Sequence, residues 1–141
     1  MAFHFDYFPD CALILIRVQG DVSIEENREI GLQIVATLEQ VETSADILFD
    51  LREIGRFPTS LGELRKTSAV VRSPRLGWMV LLTGDRPILR FIATALVQLQ
   101  TRSARMRVFD TLESAIHFLK ALQPSDRVRA NGLDDLYQLV K

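Results

Sequence analysis

The stretch CALILIRV at residues 11–18 is almost continuously apolar and rich in strand-forming side chains. Such a run predicts a central β-strand that is covered on both faces. The residues before it, 3–8, alternate between apolar and polar and predict a half-buried strand. Pro9 and Asp10 supply the turn between the two. Strands joined by so short a turn must be antiparallel, so we expect an amino-terminal β-hairpin.

Strands and amphipathic helices alternate after this hairpin. Ser23 and Glu26 have the spacing of a capping box, in which each side chain accepts a backbone amide of the other, and predict a helix to about residue 42. Asp110 begins a similar pattern before the helix that Pro124 closes. Further strands are predicted at 47–50, 78–83 and 106–109, and further helices at 60–72, 87–100, 111–122 and 133–139. This alternation predicts an α/β fold: a small, mostly parallel sheet of about five strands with four to five flanking helices.

Size and composition fit one globular domain in a reducing compartment. The chain has 141 residues, of which 48% are hydrophobic and 25% charged. Its one cysteine, Cys11, lies in the apolar run and is expected to be a buried, inert thiol. The first residues lack the basic and apolar regions of a signal peptide, and no apolar run approaches the ~20 residues that span a bilayer. We therefore expect a cytoplasmic protein without membrane insertion.

Side chains for catalysis or metal binding are not grouped in any familiar pattern. The chain has no phosphate-binding loop, no dinucleotide fingerprint, no nucleophile elbow and no Cys-x-x-Cys pair. Its two histidines, His4 and His117, are expected on solvated surfaces, so neither a metal nor a cofactor is predicted. Asp50 ends a predicted strand, where a carboxylate that accepts a nearby amide is a better interpretation than a catalytic base. We predict that the chain is not an enzyme.

Two stretches carry a resemblance to a known family. ILFDLREIGRFPTSL at 47–61 has an apolar strand ending in Asp-Leu, a hydrophobic residue a few positions on, and a helix opening at a hydroxyl-rich turn. RVFDTLESAIHFL at 107–119 has a strand, Phe-Asp, and a helix with Glu, Ala and a bulky pair. In this order the elements resemble the STAS domain and its SpoIIAA-like branch, over roughly residues 3–122. We accordingly divide the chain into a STAS-like domain at 1–122 and a carboxyl-terminal extension at 123–141 that packs on the domain or on a partner.

The resemblance implies a module that docks to proteins and sometimes binds nucleotides or lipids. In the antagonists of this family a serine in an Asp-Ser-Ser-Gly turn is phosphorylated; Ser60 matches that position and Thr59 lies beside it. The preceding Asp and the following Gly are missing here, which argues against the switch. A helix start with Arg56 and Arg65 close in sequence still favours a phosphate or another anion. The plain alternative is that Ser60 only caps the helix, worth about 1 kcal/mol.

Charge is unevenly distributed along the chain. Residues 1–63 hold twelve acids and four bases, whereas residues 64–109 hold nine bases and one acid, and the formal net charge is −1. The acidic first part argues against nucleic acid as a partner. An acidic protein surface, including a second copy in a homodimer, fits the arginines better. The predicted interaction surface consists of Arg72, Arg75, Arg86, Arg90 and Phe91.

The helix predicted at 87–100 has little polar surface. It either lies between the sheet and the leucines Leu133, Leu136 and Leu139, or forms a subunit interface. The preferred function is a non-enzymatic STAS-like regulatory or protein-interaction module. A carrier of a small molecule or lipid, with an apolar cavity beneath this helix, is the alternative, and neither the partner nor the ligand follows from the sequence.

Overall fold

The computed structural model describes residues 2–56, 73–87, 89–91, 94 and 105–141. Within these residues the chain forms five strands and three helices of known bounds, and residues 87, 89–91 and 94 are also helical. The strands are β1 (Ala2–Phe8), β2 (Leu13–Gly20), β3 (Ala45–Ile54), β4 (Leu76–Leu82) and β5 (Met106–Phe109). The helices are α1 (Ile24–Gln40), α2 (Leu112–Ala121) and α3 (Arg127–Val140).

The five strands form one mixed sheet in the order β1-β2-β3-β4-β5. β1 and β2 are antiparallel, while β2, β3, β4 and β5 are mutually parallel neighbours. This arrangement confirms the predicted α/β fold with an antiparallel hairpin at its start. β3 continues to Ile54 and does not end at Asp50 as expected, with a register shift against β2 between Arg17 and Gln19.

Alternate residues of the central strands point to opposite faces of the sheet, and both faces are buried. Ile14 and Ile16 belong to the core on one side, which we call the first face. Leu13 and Leu15 belong to the core on the other side, the second face. All four side chains are fully buried, which explains why the run at 11–18 lacks the alternation of a strand with one solvated side.

α1 covers the first face. Its buried side chains are Ile30, Ile34 and Leu38, which have the four-residue spacing of one helix face. Ser23 caps the helix, since its Oγ accepts the Glu26 amide at 3.1 Å. The helix ends at Gln40, slightly earlier than predicted.

α2 and α3 cover the second face. The buried side chains of α2 are Leu112, Ala115, Ile116 and Leu119, as its periodicity predicts. Thr111 is the N-cap of α2, accepting the Ser114 amide at 3.2 Å, so the expected cap at Asp110 is wrong. The N-cap is therefore Thr111, one residue after the predicted Asp110.

α3 is longer than the predicted turn or two at 133–139. It begins after Asp126, whose carboxylate accepts the Arg129 amide, and it buries Leu133, Leu136 and Val140. Leu139 is 57% exposed, so the third predicted leucine is not part of the core. The extension packs on the second face, whereas the division at residue 122 stays a prediction.

The expected position of the apolar helix at 87–100 is wrong in one respect. Most of this segment lies outside the described residues, but Leu89 packs into the first-face core. Leu133 and Leu136 lie in the second-face core. Because the sheet separates the two cores, Leu89 at the start of this segment does not lie between the sheet and those leucines. No helix in the described ranges is long and apolar enough to cross a membrane.

Candidate functional site

The carboxyl ends of four parallel strands meet at one edge of the sheet, which we call the carboxyl edge. Here the loop after β2 and the segment after β3 are bonded to each other. The Gly55 amide donates to Gly20 O at 2.7 Å, and the Val22 amide donates to Arg56 O at 2.7 Å. The Arg56 amide donates to the Asp21 carboxylate at 2.7 Å. These bonds fix the point at which the chain leaves the sheet towards residue 57.

The segment after β4 brings exposed arginines and an exposed aromatic ring to the same edge. The Arg86 guanidinium donates to Ile54 O, the last carbonyl of β3. Arg90 forms an ion pair with Asp110 at 3.3 Å, and these side chains are 56% and 52% exposed. Phe91, the next residue along, is 74% exposed. The segment after β4 therefore exposes a large apolar ring as well as two arginines.

Asp50 is held by an arginine on its own strand. Its two carboxylate oxygens accept from Arg52 Nε at 2.9 Å and from Arg52 Nη2 at 2.8 Å. The same Nη2 donates to Val140 O at 3.2 Å, so the pair also anchors the end of α3. The bond to Asp50 raises the pKa of Arg52. Asp50 Oδ1 also accepts the Arg52 backbone amide at 3.2 Å, so the predicted amide bond is present, with its donor on the strand and not on a loop.

Glu113 lies at the start of α2, on the second-face side of this edge. Tyr137 on α3 donates to its Oε1 at 2.8 Å. A hydrogen bond to its own backbone amide, together with the Tyr137 bond, lowers the pKa of Glu113. An anion at a helix amino terminus is favoured by the unpaired amides there, so this contact stabilises the helix pair.

The predicted site residues divide into three groups. Thr59, Ser60, Arg65 and Arg72 lie outside the described residues. Arg56, Arg86, Arg90 and Phe91 all lie at the carboxyl edge, as described above. Arg75 lies at the opposite edge, because it precedes β4, whose seven residues span about 23 Å.

Arg75 also binds the carbonyl groups at the end of α1. Its Nη1 donates to Leu38 O, Glu39 O and Val41 O at 3.4, 2.8 and 2.7 Å. These carbonyls belong to the end of α1, where backbone acceptors have no partner within the helix. The single arginine surface expected from the sequence is therefore divided, and Arg75 acts as a helix cap.

The described side chains do not form a metal site. No cluster of three or more His, Cys, Asp or Glu occurs among the residues that the structure describes. His4 and His117 are both exposed. Cys11 is buried, and burial raises the pKa of its thiol to about 11. A thiol with such a pKa is a poor nucleophile at neutral pH.

An open groove of about 610 Å³ lies between β5 and α2. Arg107 lies over two of the rings that line it, 5.0 Å from the Phe118 centroid and 5.5 Å from that of Phe109. Glu113 and His117 are also in its lining. A groove open to solvent and bordered by charged groups does not resemble the enclosed apolar site that a lipid carrier needs, and the carrier alternative gains no support from it.

Of two ion pairs in the structure, one could have been predicted from the sequence and the other could not. Asp50 and Arg52 are two residues apart on a strand, so their common face could have been deduced from the alternation of side chains. The buried pair of Arg129 and Asp46, joined at 2.7 Å, has no sequence signal, because its members lie on elements 83 residues apart.

Three solved structures share this fold at low sequence identity. The anti-sigma factor antagonist SpoIIAA in its unphosphorylated form is 19% identical with a TM-score of 0.53, over 84% of this chain and 98% of that one. The Bacillus cell fate determinant SpoIIAA in its phosphorylated form is 18% identical with a TM-score of 0.50, over 84% and 99%. A DUF3478 protein from Shewanella loihica PV-4 is 12% identical with a TM-score of 0.60, over 84% and 92%.

Sequence comparison gives a family but no individual relative. No curated protein matches the chain significantly by sequence. The SpoIIAA-like family model matches residues 13–120, which is well over half of the chain. The match and the shared fold confirm the resemblance that the two stretches at 47–61 and 107–119 indicated. The chain belongs to the SpoIIAA-like family.

Proposed function

We propose that this chain is a non-enzymatic regulatory module that binds a protein partner through the carboxyl edge of its sheet. The observation that carries the proposal is the 74% exposure of Phe91 at this edge. Burying a phenylalanine that lies in water is worth about 1.5–3 kcal/mol. Aromatic rings and arginines are also the side chains most enriched at the energetic centres of protein interfaces.

The charges around Phe91 favour a partner with acidic groups. Arg86 and Arg90 are exposed and precede Phe91 by five residues and one residue. The ion pair of Arg90 with Asp110 is exposed on both sides and contributes at most about 1 kcal/mol. A carboxylate of the partner can therefore replace Asp110 at little cost, while the ring of Phe91 becomes buried.

Ser60 is the proposed phosphoacceptor, with Thr59 as its neighbouring alternative and Arg65 as a further cation near it in sequence. SpoIIAA has been solved in unphosphorylated and phosphorylated forms, which motivates the proposal for this family member. Ser60 follows Arg56 by four residues in the sequence, and the Arg56 amide is bonded to Asp21 at the carboxyl edge. A phosphate adds a charge of about −1.5 to −2 at neutral pH. We expect it to compete with an acidic partner for the arginines, so that Ser60→Asp weakens binding.

Photo-crosslinking tests the location of the binding surface. Benzoylphenylalanine replaces Phe91 in one protein and Leu32 in another; Leu32 is 72% exposed, on α1 away from this edge. Both proteins are irradiated in a lysate of the source cells, and adducts are identified by mass spectrometry. The proposal predicts a defined adduct from position 91 that Ser60→Asp diminishes. Equal adducts from both positions, or none from position 91, contradict it.

A further inference from the structure

β1 is an edge strand with an unused side. It pairs with β2 in unbroken register from Ala2 to Phe8, and it has no second strand neighbour within the described part of the chain. Natural edge strands are usually protected from pairing by lysine, proline or a bulge. The sequence AFHFDYF contains no lysine and no proline, and its register with β2 has no bulge. As far as the described residues go, its outer backbone groups are therefore available for another strand.

We infer that β1 pairs antiparallel with β1 of a second copy of this chain, about a two-fold axis at Phe5. In this register His4 of each copy faces Asp6 of the other, so the same contact occurs twice. Phe3 faces Tyr7 of the other copy, also twice, and Phe5 faces its own counterpart. Directly facing side chains have Cβ atoms about 4.5–5.5 Å apart, close enough for each of these pairs to interact.

Hydrogen-bond complementarity favours this register over its neighbours, since an imidazole N–H of His4 can donate to the Asp6 carboxylate of the other copy. His4 and Asp6 are both exposed. Arg17 lies opposite His4 on β2, so in this register a cation stands one strand beyond the His4 that faces Asp6 of the second copy. A shift by two residues puts either His4 opposite His4 or Asp6 opposite Asp6, and it shortens the paired segment.

The aromatic side chains are arranged in the same self-complementary way. Phe3 and Phe5 pack partly against the first-face core, and Tyr7 is 37% exposed. Pairing would bring six rings from two copies into one row, and each facing pair contributes about 0.2–1 kcal/mol. The contact uses the same patch on both copies and closes on itself, so it yields a dimer and not a filament.

A charge exchange tests the dimer. In sedimentation equilibrium, His4→Glu places two acids opposite each other and is expected to weaken the dimer at least tenfold, about 1.4 kcal/mol. Asp6→Arg, which sets arginine against His4, should also weaken it. The double variant sets glutamate against arginine, a pair that attracts, and should return the dissociation constant to within about threefold of the original, which is about 0.6 kcal/mol. A chain that stays monomeric, or a dimer indifferent to all three variants, overturns the inference.

Disulfide trapping tests the register. Residue 4 faces residue 6 of the second copy, so a mixture of His4→Cys and Asp6→Cys proteins should form a crosslinked dimer on mild oxidation, while each protein alone should not. Cys11 is 1% exposed and does not compete. Crosslinking that is no greater in the mixture contradicts the register. Phe91→Ala should leave this dimer unchanged, so the inference stands or fails separately from the proposed partner site.

Discussion

Arg129 on α3 extends to the beginning of β3, where its Nη2 lies 2.7 Å from the Asp46 carboxylate. These side chains are 4% and 13% exposed. Arg129 Nη1 also donates to Cys11 O at 2.6 Å, and Nη2 donates to Leu119 O at 3.2 Å. One guanidinium thus joins the carboxyl-terminal helix to the hairpin turn, to α2 and to the sheet.

Arg129→Met should destabilise the fold strongly. It leaves Asp46 largely buried without its cation, a change that typically costs about 3–5 kcal/mol. Urea unfolding followed by circular dichroism measures the loss. Arg127→Met, at an exposed position of the same helix, is the control and should change the unfolding free energy by less than about 0.5 kcal/mol. Similar losses of unfolding free energy in the two variants would show that the buried ion pair stabilises the fold no more than an exposed arginine does.

Thr111→Ala should cost about 1 kcal/mol of unfolding free energy, the usual price of removing a helix N-cap. Asp110→Ala removes only the exposed ion pair with Arg90 and should cost at most about 0.5 kcal/mol. Thermal or urea unfolding of both variants gives the comparison. A larger loss for Asp110→Ala than for Thr111→Ala would indicate that Asp110 is the N-cap, as the sequence pattern predicted.

Gly55→Ala should lower the unfolding free energy by disturbing the contacts at the carboxyl edge. A Cβ at this position would overlap the Asp21 carboxylate that accepts the Arg56 amide. We expect a loss of about 1–3 kcal/mol, as for other overpacked sites. In a double-mutant cycle the same substitution should cost less in an Asp21→Ala background, because the clashing carboxylate is absent. Strict additivity would contradict this account.

Cys11 should resist thiol reagents in the folded protein and react at once in denaturant. Burial raises the pKa of its thiol from 9.0 to about 11. Because the folded state holds this proton more tightly than the unfolded state does, its contribution to stability is complete below about pH 9 and is lost as pH rises towards 11. Ellman's reagent and unfolding curves at pH 8 and 10 measure the two effects. Cys11→Ala should have the shallower pH dependence; an equal slope would argue against this cause.

The fold was largely predictable because local patterns and buried faces agree. The run at 11–18 identified the central strand, and the periodicity of α1 and α2 identified the side chains that cover each face. Helix ends were less predictable: Asp110 and Thr111 are both capable caps, and only the backbone geometry selects the threonine. The position of Leu89 on the first face depends on the side to which the chain crosses over, which hydrophobicity does not encode.

The candidate site was only half predictable from the sequence. Arg75 and Arg86 are near each other in sequence, yet a strand separates them and carries them to opposite edges of the sheet. The exposure of Phe91 is also a tertiary property, since a phenylalanine in an apolar helix is more often buried. Long-range pairs such as that of Arg129 and Asp46 follow from the packing of α3 and from no local pattern.

The affinity of the partner identified by crosslinking tests the central claim most directly. Isothermal titration calorimetry compares the wild-type chain with Phe91→Ala and with Leu32→Ala, two truncations of side chains that are 74% and 72% exposed. The account predicts that Phe91→Ala raises the dissociation constant at least tenfold, about 1.4 kcal/mol, and that Leu32→Ala leaves it unchanged. Equal affinities for all three proteins, or a loss confined to Leu32→Ala, would contradict the carboxyl edge as the binding surface.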